Sequence, residues 1–144
     1  MSNLRSHFAV LTMALFMAQT APANAEGRDK SVIGKWKLTA VLDSSEISAL
    51  DDAQAQKLVG QVLSIGADRV QLGKGVCEAP SFEATRAETD EYLYRHARAT
   101  GENLGLPNPV TVVNIGCMDV YQKPPKLVVH WQGVFFEAVR QRQR

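Results

Sequence analysis

The chain has 144 residues, of which 45% are hydrophobic, with 16 basic and 15 acidic side chains. This length predicts a single domain. The near balance of charges, with both signs mixed along the chain, argues against binding of nucleic acid or of an anionic membrane, because such binders carry a basic excess or stripe.

The first 25 residues have the pattern of a secretory signal peptide. Arg5 gives a basic start, residues 8–18 form an apolar run too short for a membrane span, and residues 23–25 match an A-x-A cleavage site. We expect cleavage after Ala25, and a periplasmic or secreted mature domain, residues 26–144, with no membrane span. Without Arg5, 15 basic residues balance 15 acidic ones in that domain.

Cys77 and Cys117 both lie in the predicted mature domain. An even number of cysteines in an exported domain most often forms disulfides, so we predict that these two pair. A bridge across 40 positions stabilises a fold by roughly 4 kcal/mol in the chain-entropy model. The two thiols match neither a redox C-x-x-C motif nor a zinc site.

The first predicted element is a strand over residues 33–42, in which Trp36, Leu38 and Leu42 share the face that points into a core. Helical spacing of apolar side chains then predicts a helix over residues 47–59. Residues 61–72 follow as two strand pieces around a tight turn.

Residues 88–104 have two interpretations. Acidic residues lie early and Arg95 and Arg98 late, which favours a helix. Tyr92, Tyr94 and His96 would equally share one face of a strand. We favour the helix.

The last part of the chain predicts more strands. Residues 81–86 alternate in a strand-like way, and residues 110–115 are rich in β-branched side chains. Residues 127–140 form a predicted hairpin with its turn at Gln132 and Gly133. The fold class is therefore α+β: an antiparallel β-rich sheet or small barrel with one or two inserted helices, in which the last hairpin pairs with the first strand.

The chain offers no recognised catalytic, cofactor or metal motif. The predicted mature domain contains only His96 and His130, and it lacks the G-x-S-x-G elbow of serine hydrolases. These two histidines are 34 positions apart with no second ligand at metal-binding spacing, so no metal site is predicted. We therefore nominate no catalytic residue and no cofactor.

The densest aromatic and basic group of the predicted mature domain is a candidate partner-binding surface. Tyrosine and arginine are the residue types that dominate binding hot spots. The group consists of Tyr92, Tyr94, Arg95, His96 and Arg98. The alternative is that the tyrosines pack on the sheet and the arginines only solvate it.

The G-x-W of the first strand, Gly34-Lys35-Trp36, together with Arg140 in the last strand, resembles lipocalin-like (calycin) β-barrels. The resemblance implies that Arg140 lies across Trp36 and that both residues help to close the barrel. The wider pattern, including Cys77 and residues 110–117, also resembles small exported bacterial proteins without an assigned activity.

Three functions remain open. The first is a non-enzymatic exported binding module that recognises a protein partner in the cell envelope, such as an inhibitor of a protease or a lysozyme. This inhibitor hypothesis is an analogy at the level of the fold. The second is a carrier of a small apolar ligand in a lipocalin-like cavity. The third is a hydrolase.

Overall fold

The computed structural model describes residues 27–142, and the predicted signal peptide lies outside this range. Within these residues the chain forms one ten-stranded antiparallel sheet, curled into a half-barrel, and two short helices. The expected class, an antiparallel β-rich α+β fold, is confirmed.

Ten strands and two helices follow one another along the described chain. They are β1 (Gly27–Arg28), β2 (Gly34–Ser44), α1 (Asp52–Leu58), β3 (Val62–Ile65), β4 (Arg69–Leu72), β5 (Gly75–Glu78), β6 (Glu83–Ala87), α2 (Thr89–Ala97), β7 (Val110–Asn114), β8 (Asp119–Lys123), β9 (Lys126–Trp131) and β10 (Val134–Arg140). The helical interpretation of the segment after β6 is correct. Strands β1, β5 and β8 are the elements that the sequence did not predict.

The sheet order places the last hairpin beside the first long strand. The order is β1-β6-β7-β8-β9-β10-β2-β3-β4-β5, and β10 pairs with both β9 and β2. In the β2–β10 ladder Arg140 is the partner of Trp36. The predicted pairing is therefore confirmed, and β1 and β5 form the two edges of the described sheet.

The predicted disulfide between Cys77 and Cys117 is present and joins distant parts of the sheet. Cys77 belongs to the edge strand β5, whereas Cys117 lies in the turn between β7 and β8, in the other half of the strand order. The backbone N–H of Ser81 donates to the carbonyl of Ile115, at 3.2 Å, beside this connection. The covalent bond thus links two parts of the curled sheet that strand pairing leaves separate.

Each face of the sheet has its own core. Eighteen buried residues, among them Trp36, Leu38 and Phe136, fill the inner face, and the partly buried Leu58 of α1 packs against them. A second cluster of nine buried residues, among them Leu93 of α2 and Phe135, covers the outer face. Alternate side chains of one strand therefore enter two different cores.

The prediction that Leu42 shares the face of Trp36 and Leu38 is wrong. The register of β2 against β10 shifts twice, so that Phe135 lies opposite Asp43 while Phe136 lies opposite Val41. Each shift inserts one extra residue in β2, as in a β-bulge, and reverses the alternation that follows. Leu42 consequently packs against the outer cluster.

The predicted start of the first helix is also wrong. Ile47 is 85% exposed and belongs to a loop, and α1 begins only after Asp51. The Asp51 carboxylate accepts from the Gln54 backbone N–H at 2.7 Å, while the Gln54 side chain accepts from the Asp51 N–H at 2.9 Å. This capping box ends the loop and fixes the first turn of α1.

Candidate functional site

The candidate partner-binding group lies on α2, and local signals explain why this segment is helical. Glu88 is the N-cap, and its carboxylate accepts from the backbone N–H of Glu91 at 2.7 Å. Arg98 ends the helix in the left-handed conformation, with φ of 49°. Acidic residues in the first turn and basic residues in the last turn complement the helix dipole.

The buried stripe of α2 fixes the helix on the outer face of the sheet. Thr89, Leu93 and Ala97 are buried at helical spacing, and Leu93 is fully buried in the outer cluster. The Thr89 hydroxyl donates to the carbonyl of Pro107 at 2.6 Å, and its backbone N–H donates to the Asn108 side chain at 3.1 Å. The opposite side of α2 is therefore presented to solvent in a defined orientation.

The helix divides the predicted group. At 100° per residue, Tyr94 lies on one flank of α2, beside Arg98, which caps the helix. Tyr92 and His96 lie on the other flank, which faces β6. Arg95 lies between the two sets and forms an ion pair with Glu91 one turn earlier. The five residues are thus two adjacent surfaces rather than one.

Tyr94 and Arg98 form the first surface, the Tyr94 patch. The Tyr94 side chain is 62% exposed, and the Arg98 guanidinium carbon lies 5.0 Å from the centre of its ring. This arrangement is a cation–π contact, which orients both side chains. Within residues 27–142 Arg98 forms no ion pair, so its charge remains available.

The second surface is a groove of about 330 Å³ between β6 and α2, the Tyr92 groove. Its lining comprises Thr85, Arg86, Ala87, Glu88, Glu91, Tyr92, Arg95 and His96. The rings of Tyr92 and His96 are stacked with centres 4.1 Å apart. Burial, with a further contribution from the Asp119 carboxylate, raises the pKa of Tyr92 to about 12, so its hydroxyl keeps its proton at neutral pH.

A chain of aromatic contacts connects Tyr92 to His130 beneath the helix. Tyr92 meets Tyr121 edge to face at 6.1 Å, Tyr121 contacts Phe135 at 6.1 Å, and Phe135 stacks on His130 at 4.3 Å. The Tyr121 hydroxyl is buried without a hydrogen-bond partner among the described residues. Burial raises the pKa of Tyr121, and nearby Asp119 raises it further.

His130 and Ser45 form the pair that most resembles catalytic machinery. Ser45 Oγ is hydrogen-bonded to His130 Nε2 at 2.9 Å, and burial lowers the pKa of His130 although Asp119 opposes this shift. Asp119 is the cross-strand neighbour of His130, but its carboxylate accepts instead from the Asn114 side chain at 2.7 Å. Within residues 27–142 no hydrogen bond joins Asp119 to His130, so the orienting acid of a triad is not engaged.

Sequence reasoning missed Ser45, Asp119 and Tyr121. Ser45 enters the site through a loop, and the other two lie in the unpredicted strand β8. The five residues of β8 show no simple alternation of apolar and polar side chains, so no clear strand signal was present there.

Trp36 and Arg140 are in contact at one end of the half-barrel. The Arg140 guanidinium carbon lies 4.3 Å from the centre of the Trp36 ring, and the guanidinium donates to the carbonyls of Ile33 and Ser31 at 3.1 and 2.8 Å. Trp36 is 4% exposed, and its indole N–H donates to the Val32 carbonyl at 2.8 Å. The indole is therefore packed into the inner core rather than facing an open cavity.

Residues 27–142 contain no group of three histidine, cysteine, aspartate or glutamate side chains placed to hold a metal ion. In the same residues no helix has the length and apolar character needed to cross a membrane. No protein-family model, curated protein or solved structure matches the chain.

Proposed function

We propose that this protein is an exported, non-enzymatic binding module that recognises a protein partner in the cell envelope through α2. The single observation that carries the proposal is the Tyr94 patch. It combines an exposed tyrosine with an arginine that has no ion-pair partner among the described residues. Tyrosine and arginine contribute disproportionately to binding free energy because they bury a large area and still form polar contacts.

The proposed contact needs a partner surface with an apolar depression for the Tyr94 ring and a carboxylate within reach of Arg98. Arg95 is already paired with Glu91, so Arg98 is the residue of this surface that gains most from an acidic partner. The buried stripe of α2 supports the proposal, because a helix that is already ordered loses little conformational entropy on binding. The Tyr92 groove extends the same surface toward β6.

We also propose that the protein is exported and that it is related to lipocalin-like barrels. The disulfide supports an oxidising compartment. The stacking of Arg140 on Trp36 supports kinship with lipocalin-like barrels and a role for both residues in closing the fold. Inhibition of a protease or a lysozyme is the specific form of partner binding that we propose to test first.

The carrier hypothesis receives less support, because side chains fill the inner face around Trp36. The hydrolase hypothesis relies on Ser45 and His130, and their hydrogen bond lacks the orienting acid. Neither has an observation as specific as the Tyr94 patch.

The test is affinity capture from periplasmic extract with the immobilised mature domain. We compare the wild type, the double variant Tyr94→Ala/Arg98→Ala and the control Ile47→Ala/Val76→Ala. The control removes the other two exposed large apolar side chains of residues 27–142. A protein that the wild type and the control retain, and the α2 variant loses, supports the proposal. Equal retention by all three contradicts it.

Inhibition assays against a lysozyme and a panel of serine proteases then test the specific form. Inhibition by the wild type that decreases in the α2 variant supports it. Inhibition that persists in that variant places the inhibitory surface elsewhere.

A further inference from the structure

A second groove lies between α1, the β4–β5 turn and Trp131 at the end of β9. It encloses about 480 Å³, within the range of sites for small ligands. Leu50, Leu58 and Leu72 contribute its apolar surface. Trp131 forms a wall with its half-buried indole ring. We call this site the Trp131 groove.

The β9–β10 turn holds one side of the Trp131 groove in place. The backbone N–H of Ser45 donates to the Gly133 carbonyl at 2.7 Å, and the N–H of Ala49 donates to the Gln132 carbonyl at 3.0 Å. A Cβ atom on Gly133 would lie 2.6 Å from the Cα atom of Ser48, so a side chain there would displace this loop. The glycine therefore permits the close approach that sets Leu50 beside the groove.

A second glycine positions the tryptophan. A Cβ atom on Gly75 would lie 2.8 Å from Cζ2 of Trp131, so the indole rests directly on the backbone of β5. The indole N–H of Trp131 has no protein acceptor within residues 27–142, in contrast to that of Trp36. This indole N–H is therefore not held by another protein group in that part of the chain.

The charges at the Trp131 groove have one sign. Lys57 on α1 and Lys74 in the β4–β5 turn both line it, and no acidic side chain is among its lining residues. Both lysines are exposed, and neither forms an ion pair within the described part of the chain. An anion bound between them would encounter two uncompensated positive charges.

We propose that the Trp131 groove binds a small amphiphilic anion. The apolar body packs on Trp131 and the three leucines, and a single carboxylate or sulfonate lies near Lys57 and Lys74. The volume accommodates one such molecule, and two lysines match one acidic head rather than an extended polyanion. This site is separate from α2 and does not depend on the proposed partner binding.

The probes are 8-anilinonaphthalene-1-sulfonate and its uncharged analogue N-phenyl-1-naphthylamine, titrated into the mature chain at low salt and followed by fluorescence. We expect saturable binding of both probes, with tighter binding of the sulfonate. Trp131→Ala should weaken both by at least about tenfold, because the main apolar contact is lost. Lys57→Gln/Lys74→Gln should weaken the sulfonate by about tenfold and leave the uncharged analogue unchanged.

The matched control is Lys35→Gln/Lys37→Gln, which removes two exposed lysines of β2 and should leave both probes unaffected. The lysine variants alter only surface side chains, so they keep the test valid if Trp131→Ala fails to fold. Equal sulfonate binding by the wild type and Lys57→Gln/Lys74→Gln would overturn the proposal. Unchanged binding by a folded Trp131→Ala variant would overturn it as well. Tyr94→Ala/Arg98→Ala should retain both probes, which separates this site from the partner surface.

Discussion

The inner and outer faces of the same sheet carry different chemistry. The inner cluster is apolar, and none of its eighteen buried residues has an ionisable side chain. The outer cluster includes Tyr121 and borders Tyr92 and His130. The inner face therefore stabilises the fold, whereas the outer face combines packing with polar groups and an exposed helix.

A large effect should come from removing the disulfide, which links parts of the sheet that β pairing does not. We expect Cys77→Ser/Cys117→Ser to lower the free energy of unfolding by about 4 kcal/mol. Urea denaturation of the variant, and of the wild type with and without reductant, measures this loss. A wild-type midpoint that reductant does not change would contradict the role assigned to the bridge.

Leu38→Ala and Leu93→Ala compare the two cores directly, because both residues are fully buried. Each substitution should lower the free energy of unfolding by about 2–5 kcal/mol, because apolar contacts are lost and a cavity forms. Amide hydrogen exchange distinguishes them. Leu38→Ala should accelerate exchange throughout β2, β3 and β10, whereas Leu93→Ala should accelerate it mainly in α2. Identical exchange patterns would show that the two faces unfold as one unit.

Asp51→Ala tests how α1 is held over the inner face. The substitution removes the capping box with Gln54 and should lower the free energy of unfolding by about 1 kcal/mol. Asp52→Ala, one residue later and also exposed, is the matched control and should cost only a few tenths of a kcal/mol. Equal losses in thermal unfolding would mean that charge near the helix start, rather than the cap, stabilises α1.

His130 gives the outer face a pH dependence that the inner face lacks. Burial lowers the pKa of folded His130 below 6.5. Above pH 6.5 the His130 ring is mostly uncharged in both the folded and the unfolded chain. Below pH 6.5 the unfolded chain binds a proton at this ring more readily than the folded chain does. The free energy of unfolding should therefore fall as the pH decreases from 6.5 through the pKa of folded His130. The variant His130→Gln should show a smaller dependence of this free energy on pH.

Glu137 provides the internal reference for this titration. Hydrogen bonds from Lys126 and Lys123 hold its pKa below 4.5, so its contribution is lost only in more acidic solution. The difference between the wild type and His130→Gln between pH 7 and 5 therefore reports on His130 without a contribution from Glu137. A slope that His130→Gln leaves unchanged would remove His130 as its cause.

Patterns that are local in sequence predicted much of the fold. Period-two alternation identified β2 and the β9–β10 hairpin, and the charge order identified α2. The bulges in β2 were not predictable, because they depend on pairing with β10, and they move Leu42 to the outer face. Strand β8 was missed because both of its faces are partly covered, which removes a simple alternation of apolar and polar residues.

The candidate sites show the same limit. The α2 group was visible because its residues are consecutive, and its division into two surfaces follows from the helical period. The Trp131 groove could not be recognised in the sequence, because the residues that line it are far apart along the chain. They come from α1, from β4 and the turn after it, and from β9. The pair of Ser45 and His130 likewise joins residues 85 positions apart.

The adjacent residues Leu93 and Tyr94 offer the most direct test of the division between packing and recognition on α2. Leu93 is fully buried, and Tyr94 is 62% exposed. The measurement is the urea unfolding free energy of Tyr94→Ala together with its retention of the captured envelope protein, beside Leu93→Ala. We expect Tyr94→Ala to change stability by less than about 0.5 kcal/mol and to lose the partner. A Tyr94→Ala variant that keeps the partner, or that unfolds as readily as Leu93→Ala, would contradict this division.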